Sequence, residues 1–207
     1  MEGLATLSHG APASALLLGA IVIASLIGLF AAPSLIERSL FRPYWLVPRR
    51  EYWTLVTSGF VHADLMHLLF NGFTFWAFAF GLEREIGSER FLALYAFGLL
   101  VSDAGTWINH RGDPEYRTLG ASGAILAVLF ASILYFPSAS IVILPIPVPI
   151  PSPLFALAYL AYTWWAAKRG RGRVNHDAHL AGALAGVVFV ALTDSRTLDR
   201  AFATFFG

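Results

Sequence analysis

Cysteine is missing altogether from the 207 residues, which excludes disulfides, thiolate metal sites and a cysteine nucleophile. Charge is scarce as well: 13% of the residues are Asp, Glu, Lys or Arg, against about 25% in a soluble domain. The formal net charge of +1 offers no basic field for nucleic acid. The chain is instead 57% hydrophobic, with a mean hydropathy of +0.65, too apolar for a soluble globule. Its few charges stand in short intervals between long apolar stretches, the pattern of a polytopic membrane protein. The length suits one domain, residues 1–207, and no internal repeat or low-complexity segment stands out.

Residues 14–32, SALLLGAIVIASLIGLFAA, form a charge-free run long enough to cross the hydrocarbon core as a helix. A signal peptide is the competing reading. However, residues 1–13 hold no Lys or Arg, and the run exceeds an h-region of about 7–15 residues, so a retained helix is predicted. Residues 33–63 form a polar and aromatic connection, with Trp45, Tyr52 and Trp53 beside Arg42, Arg49 and Arg50. Such rings settle at headgroup depth. Further spans are predicted at 64–81, 91–107, 120–136, 153–168 and 178–193, giving an all-α bundle of six transmembrane helices. Several are shorter than the usual ~20 residues, which implies local bilayer thinning or burial inside the bundle. The stretch PIPVPIPSP cannot continue a helix and reads as an extended interfacial connector.

Polar groups within a bilayer are costly and point to function by default. Three clusters stand out. In HADLMHLLFN, His67 and Asn71 lie one helical turn apart on one face. His62 lies about 140° away around the helix and belongs to the entering turn. Interhelical hydrogen-bond glue, a metal site and a catalytic role are all open for this cluster, although no HExxH spacing favours metal. In GASG, residues 120–123, the soluble hydrolase elbow is rejected, because Ala124 stands where its second glycine belongs and the surroundings are transmembrane. Gly123, Ala127 and Ala131, spaced by four, form a small face for close backbone approach, so packing explains the stretch as well as a nucleophilic Ser122 does. In NHDAHLAGALAG, His179 shares a helical face with Gly182 and Gly186. That seam can carry an imidazole to the helix beginning at Ser122. Asp177, two residues earlier, points to the other side and is not taken as a third triad member.

One chemical proposal joins the clusters. Serine needs a base to remove its proton, and neutral histidine is the usual one. Attack on a peptide carbonyl creates an oxyanion that needs donors already aimed at it. Asn71, His67 and the backbone N–H groups at the start of the Ser122 helix can donate. If the spans alternate, all three clusters lie near one membrane face.

At these residues the chain resembles the rhomboid family of intramembrane serine proteases, over most of its length. HLLFN (67–71), GASG (120–123) and AHLAGALAG (178–186) match the family's His-x-x-x-Asn, Gly-x-Ser-Gly and Ala-His-x-x-Gly-x-x-x-Gly in order. Glu83 followed by Gly87-Ser88 is similar to the family's connection between the second and third helices. The resemblance implies a bacterial-type six-helix rhomboid fold and a Ser122–His179 dyad. It implies an oxyanion site from His67, Asn71 and the backbone at Gly120 and Ser122. Gly123, Gly182, Gly186, Glu83 and Trp53 take structural roles. It further implies cleavage of transmembrane protein substrates through an acyl-enzyme, without metal or cofactor, in a bacterial plasma membrane with lipid as the other partner. Residues 33–63 would be the family's embedded first loop, and the fifth helix with the 169–177 loop its gate.

The chain departs from the family in two places. Trp53 is followed by Thr54 rather than arginine, so that arginine's structural role is missing or falls to Arg49 or Arg50. Leu126 stands where many members carry an aromatic that stacks on the catalytic histidine. The alternative function is a catalytically silent relative that binds transmembrane clients; a transporter would favour inverted repeats, and none is visible. Ten basic residues (38, 42, 49, 50, 111, 117, 168, 169, 171 and 173) fall on the site's face and four (84, 90, 196 and 200) on the other. The positive-inside rule would turn the site inward, whereas the family orientation turns it outward. The family orientation is taken here, with the basic residues as interfacial anchors.

Overall fold

Pro12 opens the first helix, α1 (Pro12–Leu26), where its missing N–H costs nothing. The computed structural model describes residues 10–143, 146–169 and 174–206. The α1 helix continues as a π turn (Ile27–Ala31), and Pro33 then starts a short α2 (Pro33–Ser39). The free N–H groups of Ala13 and Ser14 at the head of α1 donate to the Glu83 carboxylate at 2.9 and 2.6 Å. The Ser88 hydroxyl donates to the same group at 2.7 Å. A buried carboxylate thus satisfies the orphan donors at the positive end of a helix. Replacing Glu83 by alanine should cost about 2–4 kcal/mol, since buried N–H groups lose a charged acceptor. The check is thermal melting in detergent; a variant melting with the wild type refutes this role.

The connection that follows holds α3 (Thr54–Thr57) and a 3₁₀ turn (Ser58–Phe60). Within this connection the arginines take different places. Arg42 takes the buried Glu51 carboxylate in a fork at 3.0 and 3.2 Å. Arg49 instead lies over the Trp45 ring at 3.8 Å, and Arg50 occupies a turn with φ 55°. Trp53 is more than half exposed and donates its indole N–H to the Arg38 carbonyl at 3.3 Å.

Asp64 caps the next helix, α4 (Leu65–Ile86), by accepting the His67 N–H at 2.8 Å. At Gly87 the chain takes φ +80° and turns into α5 (Ser88–His110). Then come α6 (Ser122–Tyr135), a hairpin of β1 (Ser140–Ile143) and β2 (Ile146–Pro151), α7 (Ser152–Arg169), α8 (His176–Thr193) and α9 (Ser195–Phe206). Among the described residues, four segments are long and apolar enough to cross a bilayer: Pro12–Ala31, α4, α5 and α8. The protein is a polytopic helical membrane protein.

With 14 residues, α6 is about 21 Å long, short of the ~30 Å hydrocarbon core. It tolerates this by having protein on all sides, for every residue from Gly123 to Leu134 is buried. The closest neighbour is α8. A Cβ at Gly182 would meet the Gly123 backbone, and one at Gly186 the Ala127 backbone, with Ala127 Cα at 3.0 Å. Small residues on both helices therefore bring the two backbones into contact.

The proline-rich connector is an antiparallel hairpin, Ser140 pairing with Pro151 and Ile141 with Ile150; residues 144–145 lie outside the described residues. Ser152 N–H donates inward to the Ala139 carbonyl at 3.1 Å. With a period of two, Pro149 and Pro151 then fall on the outer edge, where they supply no donors to another strand. The last helix, α9, was not among the six predicted spans. Asp194 caps it, accepting Thr197 N–H and Oγ–H at 3.2 and 2.9 Å. Leu198, Ala201 and Phe205 face the main core.

Candidate active site

The backbone before Ser122 is set by the long connection. Phe41 and Thr118 exchange backbone hydrogen bonds at 2.9 and 3.0 Å, and Gly120 N–H donates to the Ser58 carbonyl at 2.9 Å. Gly120 has φ +122°, a conformation L side chains rarely adopt, and a Cβ there would stand 2.6 Å from His67 Cε1. Only glycine allows both the turn and the approach of the imidazole. Ser122 follows as the first residue of α6, where N–H groups have no acceptor within the helix.

His179 is delivered by the capped start of α8. Asn175 accepts Ala178 N–H at 3.0 Å and donates its amide to Thr106 Oγ1 at 2.9 Å, fastening α8 to α5. Asp177 accepts from Asn109 at 2.8 Å and His110 at 2.8 Å, turned away from His179 as the spacing required. With Gly182 seated on Gly123, His179 Nε2 lies 2.9 Å from Ser122 Oγ. The other ring nitrogen, Nδ1, lies 3.1 Å from the Tyr159 hydroxyl on α7.

The first cluster sits beside Gly120, with Asn71 Nδ2 3.7 Å and His67 Nε2 2.9 Å from the position a Cβ would take there. His62 does more than enter the helix: it is fully buried and holds Asn71. Asn71 Nδ2 donates to His62 Nε2 at 2.8 Å, so the ring's proton must be on Nδ1, which donates to Ser25 Oγ at 2.9 Å. Ser25 in turn donates to the Phe60 carbonyl at 3.2 Å. Burial, and next the neighbouring His67, hold the His62 pKa down at about 3, so the ring stays neutral and able to accept. One Asn71 N–H is thereby committed and the other remains for the space near Gly120.

The structure thus brings Ser122, His179, His67, Asn71 and Gly120 to one end of the bundle, with Gly123, Gly182 and Gly186 setting the helix spacing; the Gly120 N–H, expected among the oxyanion donors, is instead committed to the Ser58 carbonyl. Glu83 and Trp53 stand apart from this group, at other contacts. Among the described residues no three His, Asp or Glu side chains converge as metal ligands would. Sequence reasoning missed Tyr159, the buried role of His62 and the Arg42–Glu51 pair. Tyr159 is one of five aromatics between Phe155 and Trp165, and no spacing rule singles it out.

The chain is 40% identical over 82 residues to the "Putative rhomboid protease YdcA" of Bacillus subtilis, covering 40% of each chain. It is 30% identical over 172 residues to the human "Presenilin-associated rhomboid-like protein, mitochondrial", covering 78% of this chain and 44% of that one. It is 33% identical over 86 residues to "Rhomboid protease GluP" of Bacillus subtilis, covering 42% of this chain and 16% of that protein. The chain spans less than half the length of each of these relatives. The family model described as Rhomboid domain matches residues 49–196, well over half of the sequence, and the chain belongs to the rhomboid family.

Proposed function

We propose that this protein is an intramembrane serine protease that cleaves transmembrane protein substrates through an acyl-enzyme. The observation that carries the reading is the 2.9 Å approach of Ser122 Oγ to His179 Nε2, within reach for direct proton transfer. As Oγ attacks the scissile carbonyl carbon, the serine O–H breaks and its proton passes to Nε2. The carbonyl electron pair moves onto oxygen, next to the free N–H groups of the α6 start, His67 and the second Asn71 N–H. Collapse of the adduct breaks the C–N bond, and His179 returns the proton to the departing amine. Water then repeats the sequence on the ester and releases the acid.

Depth supports a substrate within the bilayer. Gly123 lies against Ser102, about 12 Å along α5 from its end at His110, so the serine is recessed. Around the mouth, Arg49, Arg111, Lys168 and Arg169 each lie over a tryptophan ring, at 3.7 to 4.9 Å. Such pairs favour interfacial anchoring for these cations, which removes the positive-inside objection to the family orientation.

Replacing Asn71 by alanine removes one oxyanion donor and should lower kcat by about 10²-fold. It also strips buried His62 of its donor, so melting should fall with a loss of about 1–3 kcal/mol. Wild-type melting together with wild-type turnover would remove Asn71 from the site.

The function itself is tested with purified protein in proteoliposomes, using a labelled single-span substrate and a fluorophosphonate that esterifies activated serines. Cleavage within the span and modification mapped to Ser122 are expected. Release of intact substrate with Ser122 unmodified would identify the silent, client-binding relative instead.

A further inference from the structure

Each ring nitrogen of His179 faces one hydroxyl, Ser122 Oγ at 2.9 Å from Nε2 and Tyr159 Oη at 3.1 Å from Nδ1. A neutral imidazole has one N–H and one lone pair. For Nε2 to take the serine proton, the ring's own proton must sit on Nδ1, with an acceptor opposite. Among the described residues no carboxylate bonds His179, and the nearest in sequence, Asp177, accepts from Asn109 and His110. We propose that Tyr159 is the positioning residue of the dyad, its oxygen accepting Nδ1–H so that Nε2 presents its lone pair to Ser122. This rests on the protease reading above.

The phenol is aimed by packing. Its ring stacks on Phe155 at 5.6 Å with planes 24° apart, and meets Phe130 of α6 at 5.9 Å. Leu126 belongs to the same buried cluster, so at the position where an aromatic could have stacked on the imidazole, α6 contributes only an aliphatic wall. The orienting group comes from α7 instead. When the serine proton reaches Nε2 the ring becomes imidazolium, and Nδ1–H to Oη becomes a charge-assisted bond, stronger than the neutral one. That gain arises only as the proton moves, so it lowers the barrier and leaves substrate binding alone. A neutral phenol does this without burying a second charge beside the site.

Tyr159→Phe deletes the oxygen and keeps the ring. The expected result is a fall of about 10- to 30-fold in kcat and in the rate of fluorophosphonate labelling, with KM and melting unchanged. Nitrogen-15 spectra of histidine-labelled protein, with His179 assigned by its loss in His179→Ala, should show the proton on Nδ1 in the wild type and not held there in the variant. Tyr162→Phe, one turn further along α7, should match the wild type throughout. Unchanged rates with unchanged ring nitrogens overturn the proposal, as does a rate loss accompanied by lower melting and unchanged ring nitrogens. If the wild type neither labels nor cleaves, the protease reading fails, and the nitrogen spectrum still decides whether Tyr159 holds the Nδ1 proton.

Discussion

Ser122→Ala is expected to reduce cleavage of a transmembrane substrate to background, and His179→Ala to lower it by at least about 10⁴-fold, roughly 5.5 kcal/mol of transition-state stabilisation. The two side chains act as one unit, since the nucleophile exists only when its proton has a destination 2.9 Å away. The double variant should therefore be no slower than either single one. Both variants should remain folded, because neither residue is fully buried and the seam beneath them is made by other residues. Turnover by purified protein, with melting as the control, decides this. Substantial activity in either folded variant would refute the dyad; additive losses would show that the two residues act separately.

Gly182→Val should produce the largest structural effect. A Cβ at 182 falls 2.8 Å from the Gly123 carbonyl carbon and 2.9 Å from its Cα, and closer still to the carbonyl oxygen. These are backbone atoms of the most enclosed helix, so no side chain can rotate away and the two helices must part. Overpacking of this kind costs about 3 kcal/mol, and an ångström added between Ser122 and His179 costs about 10²-fold in rate. Melting and cleavage should fall together. Gly81→Ala is the control, because nothing lies within 4 Å of a Cβ there, and it should be neutral or stabilising by up to ~1 kcal/mol through helix propensity. If Gly182→Val melts and cleaves as wild type does, contact between α6 and α8 does not set the site.

How much of this was readable in advance depended on range. The apolar runs, the one-turn spacing of His67 and Asn71, and the shared face of His179, Gly182 and Gly186 are local regularities, visible because a helix repeats every 3.6 residues. Asp177 could be set aside from the same geometry, and it bonds Asn109 and His110. The C-terminal helix α9 was overlooked because its polar first half hides an apolar face at 198, 201, 202 and 205. Arg42 could not be told from Arg49 or Arg50, since partners nine residues apart in irregular chain follow no period.

The sequence by itself determined that the chain lives in a membrane, that its polar residues gather in three clusters, and that small residues follow Ser122 and His179 along their helices. These properties follow from transfer free energy and helical periodicity, both written residue by residue. Only the tertiary structure decided which hydroxyl faces the second nitrogen of His179, which histidine holds Asn71, and which arginine ties the first connection. Those choices depend on distances between segments far apart in the chain, and a hydrogen bond is made or lost within an ångström.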